Sequence, residues 1–340
     1  MTTSQKILIV GAGAFGTAIA CSISSPRHHI HILGRSATNF DRIAVNPHIA
    51  GHPVTFSTFD TFHEPLHSFH FIILAIPCQS LREVLILLHK KDNSAHDTPL
   101  TFLSLAKGIE QNTLLFPSQI IADVFKENAH VGVLSGPSFA REMQAGLPTA
   151  LVMAAKEKTT LNTMANILHS KRLHIYKTPD VMGVEVGGAL KNIIAMISGV
   201  VDGLELGHNA QAAVMTRGLS EIANIGVTLG ANPLTFMGLS GLGDLILTGT
   251  GELSRNRKFG KLMAQGVAAE QIMATIGGVI EGVSTTQSAY HLCKSLEIDA
   301  PLIRIAYQVL YQKLSLSRAM LSFLEQHQKE EFNWITHGTT

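Results

Sequence analysis

The chain has 340 residues, 46% of them hydrophobic and 15% charged, and 26 Lys and Arg against 25 Asp and Glu leave a formal charge of +1. That balance excludes a global positive field for nucleic acid or an anionic membrane, so any anion must be recognised locally. The length suits about two domains with substantial cores.

Cys21, Cys78 and Cys293 show neither paired nor zinc-type spacing and read as reduced thiols in a cytoplasmic protein. Residues 1–6 run directly into an apolar strand, so no secretory leader is expected. No apolar run is read as approaching the ~20 residues that cross a bilayer, and no membrane insertion is expected. The 17 histidines, among them His28, His29, His31, His63, His67 and His70, lack metal-ligand spacing. They read as surface residues, and no metal is expected.

In chain order, Ile7-Leu8-Ile9-Val10 forms a short buried strand, followed by Gly11, Gly13 and Gly16 in G-x-G-x-x-G spacing. Gly11 allows the tight turn, Gly13 lets the backbone approach a pyrophosphate, and Gly16 lets the next helix lie against the strand. Thr17-Ala18-Ile19-Ala20 continues as that helix, whose N-terminal amides attract phosphate. With a second strand at 30–33, the pattern predicts dinucleotide binding.

Further strands at 70–76, 100–106, 130–134 and 150–155 alternate with helical segments. The alternation predicts βαβ units, a mostly parallel sheet, and ligands at the carboxyl ends of its strands. Gly34-Arg35, Pro77, Lys107-Gly108 and Ser135-Gly136-Pro137-Ser138 fall at those ends. After residues 176–179 helical periodicity takes over, with helices predicted over 184–201, 211–229, 255–265, 268–275, 285–296 and 301–311. The class is therefore α/β. An N-terminal Rossmann-type doubly wound sheet, residues 1–179, binds the dinucleotide, and an all-α C-terminal domain, residues 180–340, binds the substrate.

Chemistry between an alcohol and a carbonyl needs a group that exchanges the hydroxyl proton while hydride moves. No histidine is well placed for this, but two lysines are. Lys107 follows a strand and should emerge at the ligand edge, although an ordinary loop lysine fits the same position. Lys191 has Gly187, Gly188, Ile194 and Ala195 as its helical neighbours. A glycine pair inside a helix costs roughly 1 kcal/mol per residue, which points to close approach by a backbone or ligand. A lysine on such a face is either desolvated, with a lowered pKa suited to acid/base work, or it snorkels to solvent.

Ser254 is an N-cap candidate for a helix opening with Arg255, Asn256, Arg257 and Lys258. Cations in a first turn oppose the helix dipole, and a bound anion would relieve the conflict. A solvated basic helix end is the alternative. Asp244, in Ser240-Gly241-Leu242-Gly243-Asp244, is expected on a flexible loop, either fixing a lysine or a hydroxyl or serving only as a turn residue.

Taken together, Gly11-Ala12-Gly13-Ala14-Phe15-Gly16-Thr17-Ala18, Ala106-Lys107-Gly108-Ile109-Glu110, Gly136-Pro137-Ser138-Phe139-Ala140, Glu185-Val186-Gly187-Gly188-Ala189-Leu190-Lys191-Asn192, Ser254-Arg255-Asn256-Arg257 and Val279-Ile280-Glu281-Gly282 resemble the bacterial NAD(P)-dependent glycerol-3-phosphate dehydrogenases. The resemblance runs from the first strand to about residue 314. It implies interconversion of sn-glycerol 3-phosphate and dihydroxyacetone phosphate, supplying phospholipid synthesis, and it allows a homodimer.

The same resemblance implies Lys191 as the catalytic acid/base, with Lys107 touching cofactor and substrate. Gly136, Ser138 and Ala140 would line the space between the ligands. Asp244, Ser254, Arg255 and Asn256 would surround the substrate, while Phe15, Arg35, Arg255, Val279 and Glu281 lie near the dinucleotide. Phe15 stands where the family often has tryptophan, and Gly249 where it often has cysteine, which implies a looser loop there.

After the second strand, where an acid would select NAD, stands Gly34-Arg35-Ser36, so NADP is expected to be preferred and NAD usable. Two other readings stay open. One is a β-hydroxy acid dehydrogenase of similar architecture, and the other is a non-catalytic NAD(P) sensor that would need no Lys191.

Overall fold

The protein is described from a computed structural model covering residues 4–91 and 99–319. The chain divides into two compact units, Met1–Gly108 with Leu115–Glu185, and Ile109–Leu114 with Val186–Thr340.

The first unit is built on eight strands: β1 (Gln5–Val10), β2 (His28–Gly34), β3 (Val54–Thr58), β4 (Phe71–Leu74), β5 (Leu100–Ser104), β6 (Ala129–Ser135), β7 (Thr149–Ala155) and β8 (Leu173–Thr178). Their order is β3-β2-β1-β4-β5-β6-β7-β8, and all pairs are parallel except β6 with β7. Successive residues of β1 feed opposite cores. Ile7 and Ile9 pack with Ile19, Ile30, Ile32 and Ile73 on one face, and Leu8 and Val10 with Leu33, Leu81, Leu85 and Phe102 on the other. A strand buried on both faces must be apolar throughout, which is why β1 shows in the sequence as an unbroken apolar run. The chain winds outward from β1 to β3, then returns to place β4 on the other side of β1. The crevice beyond β1 and β4 is thus the switch point where such sheets bind ligands.

Two strands escape the sequence pattern. β3 (Val54–Thr58) and β8 (Leu173–Thr178) are the edge strands, half polar and only partly buried, so neither presents an apolar run. One histidine also departs from the surface expectation. His31 lies buried on β2, 2.6 Å from Ser57 Oγ and 2.9 Å from Thr55 Oγ1, with Phe62 and Phe69 against its ring.

The second unit is helical. The long helix Val181–Gly203 passes into it at Val186 and is followed by Gly207–Thr228, Asp244–Thr250, Arg255–Ala264, Ala269–Ile276, Glu281–Ser295 and Pro301–Tyr311. The helix Val181–Gly203 corrects the expectation of no apolar run near bilayer length. It has 23 residues, and an 18-residue window within it has a mean hydropathy of 1.5, yet 89% of that window is buried inside the protein. It is a core helix: Val181 and Val184 pack with Val133 and Ala154, and its later turns meet other helices. Small residues let those helices close in: a Cβ on Gly260 would lie 1.9 Å from Met196 O, and one on Gly199 2.0 Å from Arg257 O.

Candidate active site

In the first unit the three glycines of the turn have different surroundings. Gly11 has φ +122°, and a Cβ there would meet Ala75 O at 2.3 Å. A Cβ on Gly16 would meet Gly11 O at 1.9 Å, so strand and helix touch backbone to backbone. Gly13 instead faces open space, and a Cβ there would meet nothing within 4 Å. The helix Ala14–Ile23 has no side-chain cap and no acid in its first turn. An open glycine and an uncapped helix start beside the switch point fit a pyrophosphate. The chain therefore suits a dinucleotide.

Lys107 leaves the sheet after β5, half-buried, and its Nζ donates to Gly136 O at 3.1 Å. Ser138 Oγ donates to the same carbonyl at 3.0 Å, and the Phe15 ring lies 6.0 Å from the ammonium. The fold thus brings Phe15, Lys107, Gly136 and Ser138 together. Ala140 opens the short helix Ala140–Gln144, whose Gln144 side chain donates to Ala14 O at 2.6 Å. Arg35 is exposed immediately after β2.

The second unit assembles a second cluster. Lys191, 6% exposed, has its Nζ 3.0 Å from Asp244 Oδ1 and donates to Thr248 Oγ1 at 2.7 Å. Thr248 in turn donates to Asp244 at 3.2 Å. The glycine pair beside Lys191 has a structural use: a Cβ on Gly187 would lie 2.7 Å from Ser240 O. That approach seats the π-helical turn Leu239–Gly243, which leads directly into Asp244.

Asp244 therefore stands at the start of a helix and is 2% exposed, not on a flexible loop as its sequence context suggests. The glycines around it have the composition of a loop, but they serve close packing. Gly249 likewise lies buried in the helix Asp244–Thr250, where its carbonyl accepts from Ser198 Oγ, so that segment is not loose. Sequence reasoning misses Thr248. Its signal is the i,i+4 spacing from Asp244, which puts both side chains on one helical face.

Ser254 caps the helix Arg255–Ala264 as expected, accepting from Arg257 N at 3.1 Å. The two arginines then part company. Arg257 is buried and paired with Asp202 at 3.0 Å and Glu252 at 2.7 Å, so carboxylates of the chain relieve its misfit and no bound anion is needed. Arg255 is exposed and has no such partner among the described residues. Asn256 is buried and joins three helices: its amide donates to Asn192 Oδ1 at 2.8 Å and accepts from Gly282 N at 3.1 Å. Val279 is exposed and Glu281, at the start of the helix Glu281–Ser295, is half-buried.

The family model described as the NAD-dependent glycerol-3-phosphate dehydrogenase N-terminus matches residues 6–161, and the corresponding C-terminus model matches residues 180–321. A glycerol-3-phosphate dehydrogenase [NAD(P)+] of Thiobacillus denitrificans is 40% identical over 334 residues, covering 96% of this chain and 100% of that protein. The chain belongs to the NAD(P)-dependent glycerol-3-phosphate dehydrogenase family. A Nitrosomonas eutropha member is 39% identical over 94% of this chain and 98% of its own length. The crystal structure of glycerol-3-phosphate dehydrogenase from Coxiella burnetii superposes with a TM-score of 0.86 at 29% identity, over 95% of this chain and 99% of that one. Family membership makes this an oxidoreductase and agrees with the dinucleotide reading of the glycine turn.

Proposed function

We propose that the chain interconverts sn-glycerol 3-phosphate and dihydroxyacetone phosphate, with Lys191 as the acid/base. The first unit holds the cofactor through Gly11, Gly13, Ala14, Phe15, Gly16 and Arg35, and the second supplies the proton and the phosphate grip. The observation that carries this reading is the buried Lys191 ammonium, fixed by Asp244 and Thr248 in a chain of this family. A buried cation tied to one carboxylate and one hydroxyl is held at a defined point, which general acid catalysis requires.

The nicotinamide, when bound, supplies or accepts the hydride. In reduction, the carbonyl carbon gains that hydride while Lys191 gives a proton from Nζ to the carbonyl oxygen. Lys191 becomes a neutral amine and regains its proton from solvent. In oxidation it takes the proton from the hydroxyl. Lys107, anchored on Gly136 O, attracts the anionic substrate and the cofactor, with Ser138 and Ala140 beside it. Arg255 and the first-turn amides after Ser254 hold the phosphate. Asn256 ties the starts of its own helix and of Glu281–Ser295 to the middle of Val181–Gly203, and Val279 and Glu281 border the cofactor.

Arg35 supports a preference for NADPH, because a guanidinium pairs with the 2′-phosphate where an acid would repel it. Three buried free thiols suit a reducing cytoplasm, where the product would feed phospholipid synthesis. A homodimer is compatible with the family resemblance and is tested by light scattering.

Mixing the protein with NADPH and dihydroxyacetone phosphate and following absorbance tests the reading. We expect consumption of NADPH with the triose phosphate and little with a β-keto acid. Turnover only with the keto acid would favour a β-hydroxy acid dehydrogenase, and binding of NADPH without any turnover would favour a sensor.

A further inference from the structure

The helix Ala269–Ile276 ends in Gly277-Gly278, both at φ +68°. The two glycines face different surroundings. A Cβ on Gly277 would meet nothing within 4 Å, whereas one on Gly278 would lie 2.6 Å from Arg255 Nη1. The guanidinium of Arg255 therefore rests against the backbone at position 278, in the space that any other residue would fill. No carboxylate or carbonyl among the described residues holds that guanidinium, so the glycine backbone defines where it lies.

We propose that Gly278 is a positioning residue that seats Arg255 for the substrate's phosphate. The inference rests on the reading of Arg255 given under Proposed function and adds the residue that sets its geometry. A Cβ in ordinary van der Waals contact has its neighbours 3.4–4 Å away, so a methyl group at 278 would drive Nη1 roughly 1 Å away. Nη1 is the far end of a flexible side chain, so Arg255 yields before the fold does. The loss then falls on recognition, since a paired guanidinium and phosphate need a defined mutual direction. A misplacement of about 1 Å at a positioning group can cost up to 10²-fold.

The test compares Gly278→Ala, Gly277→Ala, Arg255→Ala and the Arg255→Ala/Gly278→Ala pair. Each variant is characterised by kcat, KM for dihydroxyacetone phosphate, NADPH affinity by fluorescence, and Tm. Gly277→Ala carries the same positive-φ strain without touching Arg255, which separates backbone strain from displacement. Gly278→Ala should raise KM about tenfold or more, with a smaller change in kcat. Gly277→Ala should keep a KM close to that of the original protein. In the Arg255→Ala background, Gly278→Ala should add no further rise, because the group it displaces is gone.

Several results would overturn the proposal: an unchanged KM in Gly278→Ala, an equal rise in Gly277→Ala, or multiplying effects in the pair. So would a Gly278→Ala protein that fails to fold while Gly277→Ala folds, since the inference requires the arginine to yield first. If Arg255→Ala itself leaves KM unchanged, the phosphate reading fails and takes this proposal with it. If Arg255→Ala raises KM and Gly278→Ala does not, only the role of Gly278 is lost.

Discussion

A buried ammonium stays in place only while a carboxylate stays beside it, and Asp244 is that carboxylate for Lys191. Removing one partner of a buried pair typically costs about 3–5 kcal/mol, because the remaining charge is left uncompensated. Asp244→Asn should therefore lower the Tm of the protein and its kcat together, and an unchanged Tm would mean that water enters the site. Lys191→Ala is expected to lose about 10²–10⁴ in kcat. NADPH binding should survive, since the glycine turn that suits the cofactor lies in the first unit. Near-normal kcat in a folded Lys191→Ala protein would move the proton role to another residue, with Lys107 next to examine. At the end of β2, Arg35→Ala should bring kcat/KM for NADPH down towards that for NADH. Equal values for both cofactors before and after the change would remove Arg35 from cofactor choice.

At the scale of a helix, Arg255–Ala264 shows how one basic run divides its work. Arg257 turns inward to Asp202 and Glu252 and stabilises the packing, while Arg255 remains outside that network. A site shaped for a charged phosphate rejects an analogue lacking it, because its donors are then left unpaired. Arg255→Ala should raise KM for dihydroxyacetone phosphate and narrow its advantage over dihydroxyacetone. The measurement is the ratio of kcat/KM for the two substrates. An unchanged ratio would assign the phosphate elsewhere and leave Arg255 as a solvated helix end. The sequence marks this helix by its cap and basic turn and the family resemblance singles out Arg255, but local spacing does not divide the two arginines. Their difference depends on Asp202, which belongs to another helix.

Across the whole molecule, each unit buries a carboxylate against the start of a helix. Glu185 accepts from Ser118 N at 2.8 Å and from Ser118 Oγ at 2.5 Å, and Glu221 accepts from Leu302 N at 2.9 Å and Ile303 N at 3.3 Å. Burial pushes both carboxyls up from 4.5 to about 7, against the pull of those hydrogen bonds. In each case the native state holds a proton between pH 4.5 and about 7 that the unfolded chain has released. Stability should accordingly fall as pH rises through that window and level off above it. Glu221→Gln keeps an acceptor for Leu302 and cannot ionise, so its Tm should fall less steeply between about pH 5 and 7. Identical slopes in the two proteins would show that Glu221 is ionised throughout.

What the sequence determined by itself was short-range. β1, the three glycines of its turn and the helix Pro301–Tyr311 are written in consecutive residues, because backbone sterics and burial periodicity act over a few positions. The glycine pair beside Lys191 likewise announces a close approach. Only the tertiary structure decided what approached. Thr248, 57 residues further along the chain, meets Lys191 because Gly187 admits the turn before Asp244. The edge strands β3 and β8 form because neighbours offer hydrogen bonds, not because their residues favour an apolar pattern. Pairings of this kind leave no local trace, since neither partner needs an unusual conformation of its own to make them. For the same reason local spacing does not distinguish Arg255 from Arg257, and their surroundings part only when Gly278, Asp202 and Glu252 arrive beside them.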